Sequence, residues 1–149
     1  MLTKKGKYGL KALVYLARLK PGEVALITTI AETNQIPKKF LEAILSDLKK
    51  AAVVHSKKGK GGGYFLARLP EEIHIGQVIR VLDGPLAPIA CASHNFFQKC
   101  EDCVDDDTCA IRLTMLNVRN AIASVLDNQT LAELRDLPRQ QRKAKRTTR

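Results

Sequence analysis

Residues 57–66 read KKGKGGGYFL, with four glycines and three lysines in ten positions, followed at once by an aromatic and apolar run. Such a stretch has two physical readings. It is either a loop that wraps a nucleotide phosphate with its backbone N–H groups, or the tip of a β-hairpin laid against a polyanion. A phosphate loop needs Gly-Lys-Ser/Thr feeding a helix, whereas Lys60 is followed by three glycines and Tyr64. A dinucleotide fingerprint needs a last glycine where Tyr64 stands. The hairpin reading survives: glycine supplies positive φ and lets backbones approach closely.

The flanks agree with a hairpin. AVVHSK at 52–57 is β-branched enough for one strand, and GGYFLARL at 62–69 alternates well enough for the other. Upstream, Leu41, Ile44, Leu45 and Leu48 form one apolar helical stripe, with Lys38, Lys39, Glu42, Ser46, Lys49 and Lys50 on the opposite face. Pro37 suits the first turn of that helix, where its missing N–H costs nothing. Before it, ALITTIAE (25–32) reads as a two-turn helix with Thr28 or Thr29 near its start, and TNQIP (33–37) as the break between the two. Leu10, Leu13, Val14 and Ala17 mark a first helix, closed by Pro21–Gly22. Two short helices, a tight turn and a hairpin directly behind them predict a winged helix-turn-helix.

Charge is distributed unevenly. Residues 1–70 hold 14 Lys and Arg against 4 Asp and Glu, a net +10. Residues 71–137 hold 5 against 11, a net −6, and residues 138–149 hold 6 against none. A basic half of this kind seeks a polyanion, and with a helix-turn-helix the expected partner is double-stranded DNA. A merely solvated lysine-rich surface is the plainer alternative. The contacts expected on DNA are Thr28, Lys38, Lys39 and Glu42 from the helix pair and Ser56, Lys57, Lys58, Lys60 and Gly61 from the hairpin. No segment approaches the ~18–20 apolar residues of a membrane span, no secretory leader is evident at the N-terminus, and the expected compartment is the cytoplasm.

Beyond the hairpin, Ile75, Val78, Ile79 and Leu82 predict a helix closed by Gly84–Pro85. Periodicity is lost from 85 to 108. A long helix is expected from about Cys109, in which Ile111, Met115, Val118, Ile122 and Val125 step by 4, 3, 4 and 3, the seam of a coiled-coil-like pairing. That stripe either packs on its own domain or pairs two copies, and the homodimer is favoured. A capping box, Thr130 to Glu133, starts a short last helix, and 138–149 is too charged and apolar-poor to be expected to fold. The expected organisation is a DNA-binding unit at 1–84, a cysteine loop at 85–108, a dimerisation unit at 109–137 and a basic, disordered tail at 138–149. The fold class is mainly α with a small β-hairpin.

All four cysteines, Cys91, Cys100, Cys103 and Cys109, fall in or beside the aperiodic stretch. In a reducing compartment this clustering points to metal. Cys-x2-Cys lets two sulfurs of Cys100 and Cys103 converge, and thiolate ligation of an iron–sulfur cluster tolerates the irregular outer spacings. Iron–sulfur, zinc and free thiols all stay open. Neighbouring Glu101, Asp102, Asp105, Asp106 and Asp107 are expected to oppose thiolate formation, though they serve equally as solubility residues. A Cys-x2-Cys redox enzyme is disfavoured because such motifs follow a strand in a βαβ context, which this chain lacks.

Three segments carry a resemblance: LTKKGKYGLKAL at 2–13, FLEAILSDLKKAAVVHSKKGKGGGYFLA at 40–67, and VIRVLDGPL with the cysteines and CAIR beyond. Over about residues 2–135 the chain resembles the Rrf-two family of bacterial winged-helix regulators, which includes IscR, NsrR and RirA types. The resemblance implies a homodimeric, non-enzymatic transcription regulator whose DNA affinity follows a cysteine-held iron–sulfur cluster, [2Fe–2S] or [4Fe–4S]. Cys91, Cys103 and Cys109 match the family's cluster cysteines, and Cys100 is additional. Positions that carry a fourth ligand in two branches of the family hold Arg112 and Lys7 here, which makes Cys100 the natural substitute, with His94 a weaker candidate. Glu42 matches a base-reading glutamate, and Lys58 stands where a hairpin arginine is found.

Overall fold

A computed structural model of the chain describes residues 2–147, with side chains as far as Arg142. Helix α1 (Lys4–Leu16) is opened by Thr3, whose Oγ1 accepts the N–H groups of Lys5 and Gly6. The Asp83 carboxylate, at the end of a later helix, accepts the N–H groups of Thr3 and Gly6 at 2.9 and 3.0 Å. Helix α2 (Ile27–Asn34) ends on Gln35 in the left-handed region, φ 54°, and the Ile36 N–H turns back to the Ala31 carbonyl at 2.9 Å. Helix α3 (Lys38–Lys50) follows, with Pro37 as the residue just before its first turn rather than within it. The one-residue difference leaves the proline's role intact, because no N–H is needed at either place.

Leu41, Ile44, Leu45 and Leu48 are all fully buried, so the stripe read from the 3.6-residue period is the inner face of α3. They pack with Leu13 and Leu16 of α1 and with Val78, Ile79 and Leu82 of α4 (Ile75–Asp83). Helices α1 and α4 are in close contact because Gly9 has no side chain there: a Cβ would lie 2.1 Å from Leu82 Cδ1.

Strands β1 (Val54–Lys57) and β2 (Gly63–Leu66) form the hairpin, with Val54 opposite Leu66 and Lys57 opposite Gly63. Ala25, in the connection before α2, adds a third backbone segment. Its N–H and C=O exchange hydrogen bonds with Tyr64 at 2.9 and 2.8 Å. The approach requires Gly63, since a Cβ there would sit 2.5 Å from the Ala25 carbonyl oxygen and φ is 153°. Gly63→Ala is therefore expected to cost about 2–4 kcal/mol, by forcing the strand off its neighbour at an unfavourable φ. Circular-dichroism melting should show Tm lowered by roughly 10 °C, and an unchanged Tm would mean that the hairpin is not anchored through Ala25.

Residues 85–109 contain one 3-10 turn, Ala90–Ala92, and no other helix or strand. Helix α5 (Ala110–Asn128) buries no residue against the rest of the chain. Helix α6 begins at Leu131, where Thr130 and Glu133 cap each other reciprocally at 3.2 and 2.9 Å. Leu131 is fully buried, and its N–H reaches the Ile73 carbonyl, which pins the start of α6 to the connection just before α4. An Arg80–Asp127 pair at 2.6 and 2.9 Å joins α4 to α5. It holds the Asp127 carboxyl below its ordinary range.

One expectation needs correcting. The basic stretch read as a disordered tail from 138 continues α6 as far as Thr147; residues 148–149 of that stretch lie outside the described residues. Arg, Gln, Lys and Ala are all good helix formers, so a helix already nucleated at Thr130 extends through them even without an apolar face. Pro138, inside the helix, has no N–H for the Leu134 carbonyl and its ring crowds that carbonyl, a local cost at this turn.

Candidate nucleic-acid interface and cysteine loop

Lys38, Lys39, Glu42, Ser46, Lys49 and Lys50 all lie exposed on one side of α3, opposite the buried stripe. Thr28 is exposed in the first turn of α2. Lys57, Lys58, Lys60 and Gly61 are exposed at the end of the hairpin. Ser56 differs from these: it is half-buried, and its hydroxyl accepts the Lys49 ammonium at 2.6 Å. Ser56 and Lys49 thus tie the end of α3 to the hairpin. Lys5 and Asp47 pair at 2.7 Å between α1 and α3, which, with Lys50 at 3.9 Å, holds the Asp47 carboxyl below its ordinary range; Lys38, Lys39 and Lys49 are outside these ion pairs. Phe40, 37% exposed on α3, meets the Tyr8 ring edge-on with centroids 5.7 Å apart.

This surface has a helix with a polar, basic outer face and a glycine-tipped basic hairpin beside it. The helix is thin enough to enter a major groove, and the hairpin amines supply phosphate contacts.

In the cysteine loop the four thiols form two pairs. Cys91, buried at 4% exposure, faces Cys100, and Cys103 faces Cys109. Cys100 also lies near enough to Cys103 to push its thiol pKa up, so the two pairs belong to one cluster of thiols. The Cys103 thiol donates to the Asp105 carbonyl at 3.7 Å, and the Asp105 carboxylate accepts the Asp107 N–H and the Thr108 hydroxyl. Among the described residues, no three Cys, His, Asp or Glu side chains close on one point.

Thiol acidities also divide within a pair. Hydrogen bonding with Cys109 pushes the Cys103 thiol up to about 11. Cys109 is held below its ordinary value, first by the Arg112 N–H and then by Cys103. Cys109 occupies the N-cap position of α5, and the backbone N–H groups of Arg112 and Ile111 in the first turn favour its thiolate. Asp106 opposes this from the loop. The acidic neighbours therefore act as expected on Cys100, where Asp102 adds to the larger effect of Cys91, but at Cys109 the helix terminus outweighs them.

Sequence reasoning gave Arg112 only a negative role, as a residue that cannot ligate. In the structure it is a clasp. Its Nε donates to the Cys91 carbonyl and its Nη1 to the Asp106 carbonyl, both at 3.0 Å, and its plane lies 5.6 Å from the Phe97 ring centre. Two ends of the loop are thereby held to the first turn of α5. Its place three residues after Cys109 gave no hint of this, because both partners are backbone carbonyls. His94 lines a small crevice with Arg80 and Arg119. Lys7 is exposed on α1 beside an open groove walled by Leu10, Val14 and Leu134.

By residue type the donor set suits a thiolate-bound metal, although among the described residues the sulfurs are not gathered on one point. Four sulfurs lie on one loop, and the Asp106 Oδ1 is buried there without a hydrogen-bond partner. The adjacent guanidinium is directed at carbonyls rather than at sulfur.

Helix pair, basic hairpin and cysteine loop together define a winged helix-turn-helix DNA-binding transcriptional regulator. The chain matches the family described as "Rrf2: Iron-dependent Transcriptional regulator" over residues 2–136 and belongs to it. It is 41% identical over 137 residues to an rrf2-like HTH-type regulator of Rhodobacter capsulatus, covering 90% of this chain and 91% of that one. With the HTH-type transcriptional regulator CymR of Bacillus subtilis it shares 33% identity over 133 residues, 89% and 88% of the two chains. The solved structure of CymR, titled the global cysteine regulator of B. subtilis, superposes with a TM-score of 0.76 over 92% of this chain and 97% of that one, at 33% identity. These relatives are regulators, and the role is not enzymatic. No helix among the described residues is long and apolar enough to cross a membrane.

Proposed function

We propose that this chain is a homodimeric, cytoplasmic repressor-type regulator of transcription whose affinity for double-stranded DNA is set by an iron–sulfur cluster on Cys91, Cys100, Cys103 and Cys109. One observation carries the reading: four thiols on a single loop, clasped by Arg112 to the start of the helix that carries the apolar seam. The family's description as iron-dependent supports iron as the metal. When bound, the cluster supplies a centre sensitive to iron supply, redox state or nitric oxide. The chain's own part is mechanical. Cys91 lies at the 3-10 turn packed against α5, and Cys109 caps α5, so any rearrangement of the thiols moves the first turn of that helix. Two recognition helices related by a two-fold axis read half-sites at fixed spacing, and a shift of α5 alters that spacing. This is a population shift between two arrangements of one dimer.

The seam gives independent support for the dimer. Ile111, Val118 and Val125 are 68%, 39% and 65% exposed in the single chain, although they repeat at coiled-coil spacing.

The test is anaerobic purification with a visible spectrum and analysis for iron, sulfide and zinc. The expected result is a brown protein with stoichiometric iron and sulfide. Each single Cys→Ser variant, reconstituted without oxygen, is expected to lose the chromophore or bleach markedly faster. A Cys100→Ser protein that keeps the wild-type spectrum would take Cys100 out of the ligand set. Zinc in place of iron would transfer the same four thiols to a structural site.

A second reading is favoured by the pairing of the thiols. Cys91 with Cys100 and Cys103 with Cys109 are already neighbours without any metal, so the same DNA-binding fold with a bare-thiol switch follows if colourless, metal-free protein binds DNA in a thiol-dependent way.

A further inference from the structure

Between the α1–α2 connection and the hairpin lies a cleft of about 460 Å³ that the cysteine loop does not touch. Its walls are mainly apolar, with Leu16, Leu19 and Val24 on one side and Phe65, Leu66 and Leu69 on the other. Three cationic side chains line it, Lys20, Lys57 and Arg68, against a single carboxylate, Glu23. That carboxylate is already engaged, accepting the Lys20 backbone N–H at 2.9 Å.

Arg68 is the informative member. A guanidinium carries five N–H donors. Among the described residues Arg68 reaches one acceptor, Gln77 Oε1, at 3.3 Å. Its Nε is buried and has no partner. A buried donor left without an acceptor is unfavourable, and more so when charged. The volume falls within the ~300–1,000 Å³ of small-molecule sites, which are likewise apolar with a few polar groups placed to orient the ligand.

We propose that this cleft is an effector site for a small organic carboxylate with an apolar tail. The carboxylate is held by the Arg68 guanidinium, and the tail lies along Leu19, Val24 and Phe65. Inorganic phosphate would satisfy the charge and leave the apolar walls wet, so the tail is part of the specificity. Lys57 and Gly61 belong both to the cleft and to the hairpin. A carboxylate in the cleft draws the Lys57 ammonium inward, away from a DNA phosphate, so that occupancy weakens DNA binding.

The chain contains no tryptophan, and Leu69 at the cleft's edge is 64% exposed, so Leu69→Trp supplies a single fluorescent reporter. Octanoate is the probe, with 1-octanol and inorganic phosphate as controls, titrated without DNA so that the readout is independent of any cysteine-loop cofactor. Expected are a saturable shift of the Trp emission with octanoate, binding weaker by about tenfold or more for 1-octanol and for phosphate, and a similar loss when Arg68→Gln is added. Saturating octanoate should also lower the affinity for a labelled duplex in Leu69→Trp protein and leave it unchanged when Arg68→Gln is present. If Arg68→Gln does not fold by circular dichroism, Leu19→Phe, which narrows the cleft from its apolar side, is expected to abolish octanoate binding. The proposal is overturned by the absence of a saturable shift, by 1-octanol or phosphate binding as tightly as octanoate, or by undiminished octanoate affinity in the folded cleft variants.

Discussion

Replacing Lys57, Lys58 and Lys60 together by alanine is expected to weaken binding to every DNA sequence by on the order of a hundredfold near 0.15 M salt. The size follows from counterion release. Each lysine that neutralises one phosphate contributes about 0.9 to the slope of log K against log salt, so three contribute about 2.7. The three side chains are exposed at the hairpin end, and the ion pairs of this region leave them free to reach a phosphate. Fluorescence anisotropy over a salt series on two unrelated duplexes measures both quantities. Glu42→Ala supplies the contrast. Its side chain projects from the outer face of α3, where a carboxylate can accept only from a base edge, so it should change the preferred sequence by about 1–3 kcal/mol at one position and leave the salt slope nearly unchanged. A triple variant with full affinity and an unaltered slope would show that the hairpin does not lie on the DNA backbone.

Val118→Glu is expected to turn the proposed dimer into monomers at micromolar concentration. Val118 is the middle residue of the α5 seam, flanked by Met115 and Ile122 one turn away on either side. A two-fold interface meets each substitution twice. With about 3 kcal/mol for each carboxylate placed in an apolar contact, the dissociation constant should rise about ten-thousand-fold. Sedimentation equilibrium reads this directly. Circular dichroism should show the helices retained, because no α5 side chain is buried within the single chain. Specific DNA binding should fall with dimerisation, since one recognition helix reads half a site. Wild-type protein that sediments as a well-folded monomer would refute the seam as an interface.

The candidate site was legible to different depths. The outer lysines of α3 could be placed because a buried leucine stripe at 3.6-residue spacing leaves only one face for charge. The hairpin lysines could be placed because glycines at 59 and 61–63 permit no helix. The cysteine loop was legible as chemistry, in that four thiols without strand or helix periodicity point to ligation or redox use. Its internal pairing was not. Cys-x2-Cys suggests one pair, whereas the strongest thiol neighbours in the structure are Cys91 with Cys100 and Cys103 with Cys109. Arg112 was equally hidden, since a clasp onto the carbonyls of Cys91 and Asp106 leaves no mark in residue types.

Periodicity, turn chemistry and charge distribution, all local in the chain, determined the winged helix-turn-helix, the long amphipathic helix behind it and the polyanion as partner. These features depend on side-chain pattern alone, and the structure places α1 to α5 within a residue or two of where the pattern ends. Tertiary structure alone decided how these parts are joined. Ala25 joins the hairpin because Gly63 lets two backbones touch, Asp127 meets Arg80 across 47 residues, and Leu131 fixes α6 through the Ile73 carbonyl. It also decided that α6 continues past Pro138, and that Cys109, despite acidic neighbours, has its thiolate favoured. Such outcomes depend on distances between groups far apart in sequence and on unpaired N–H groups at a helix end, and neither is written in the order of residue types.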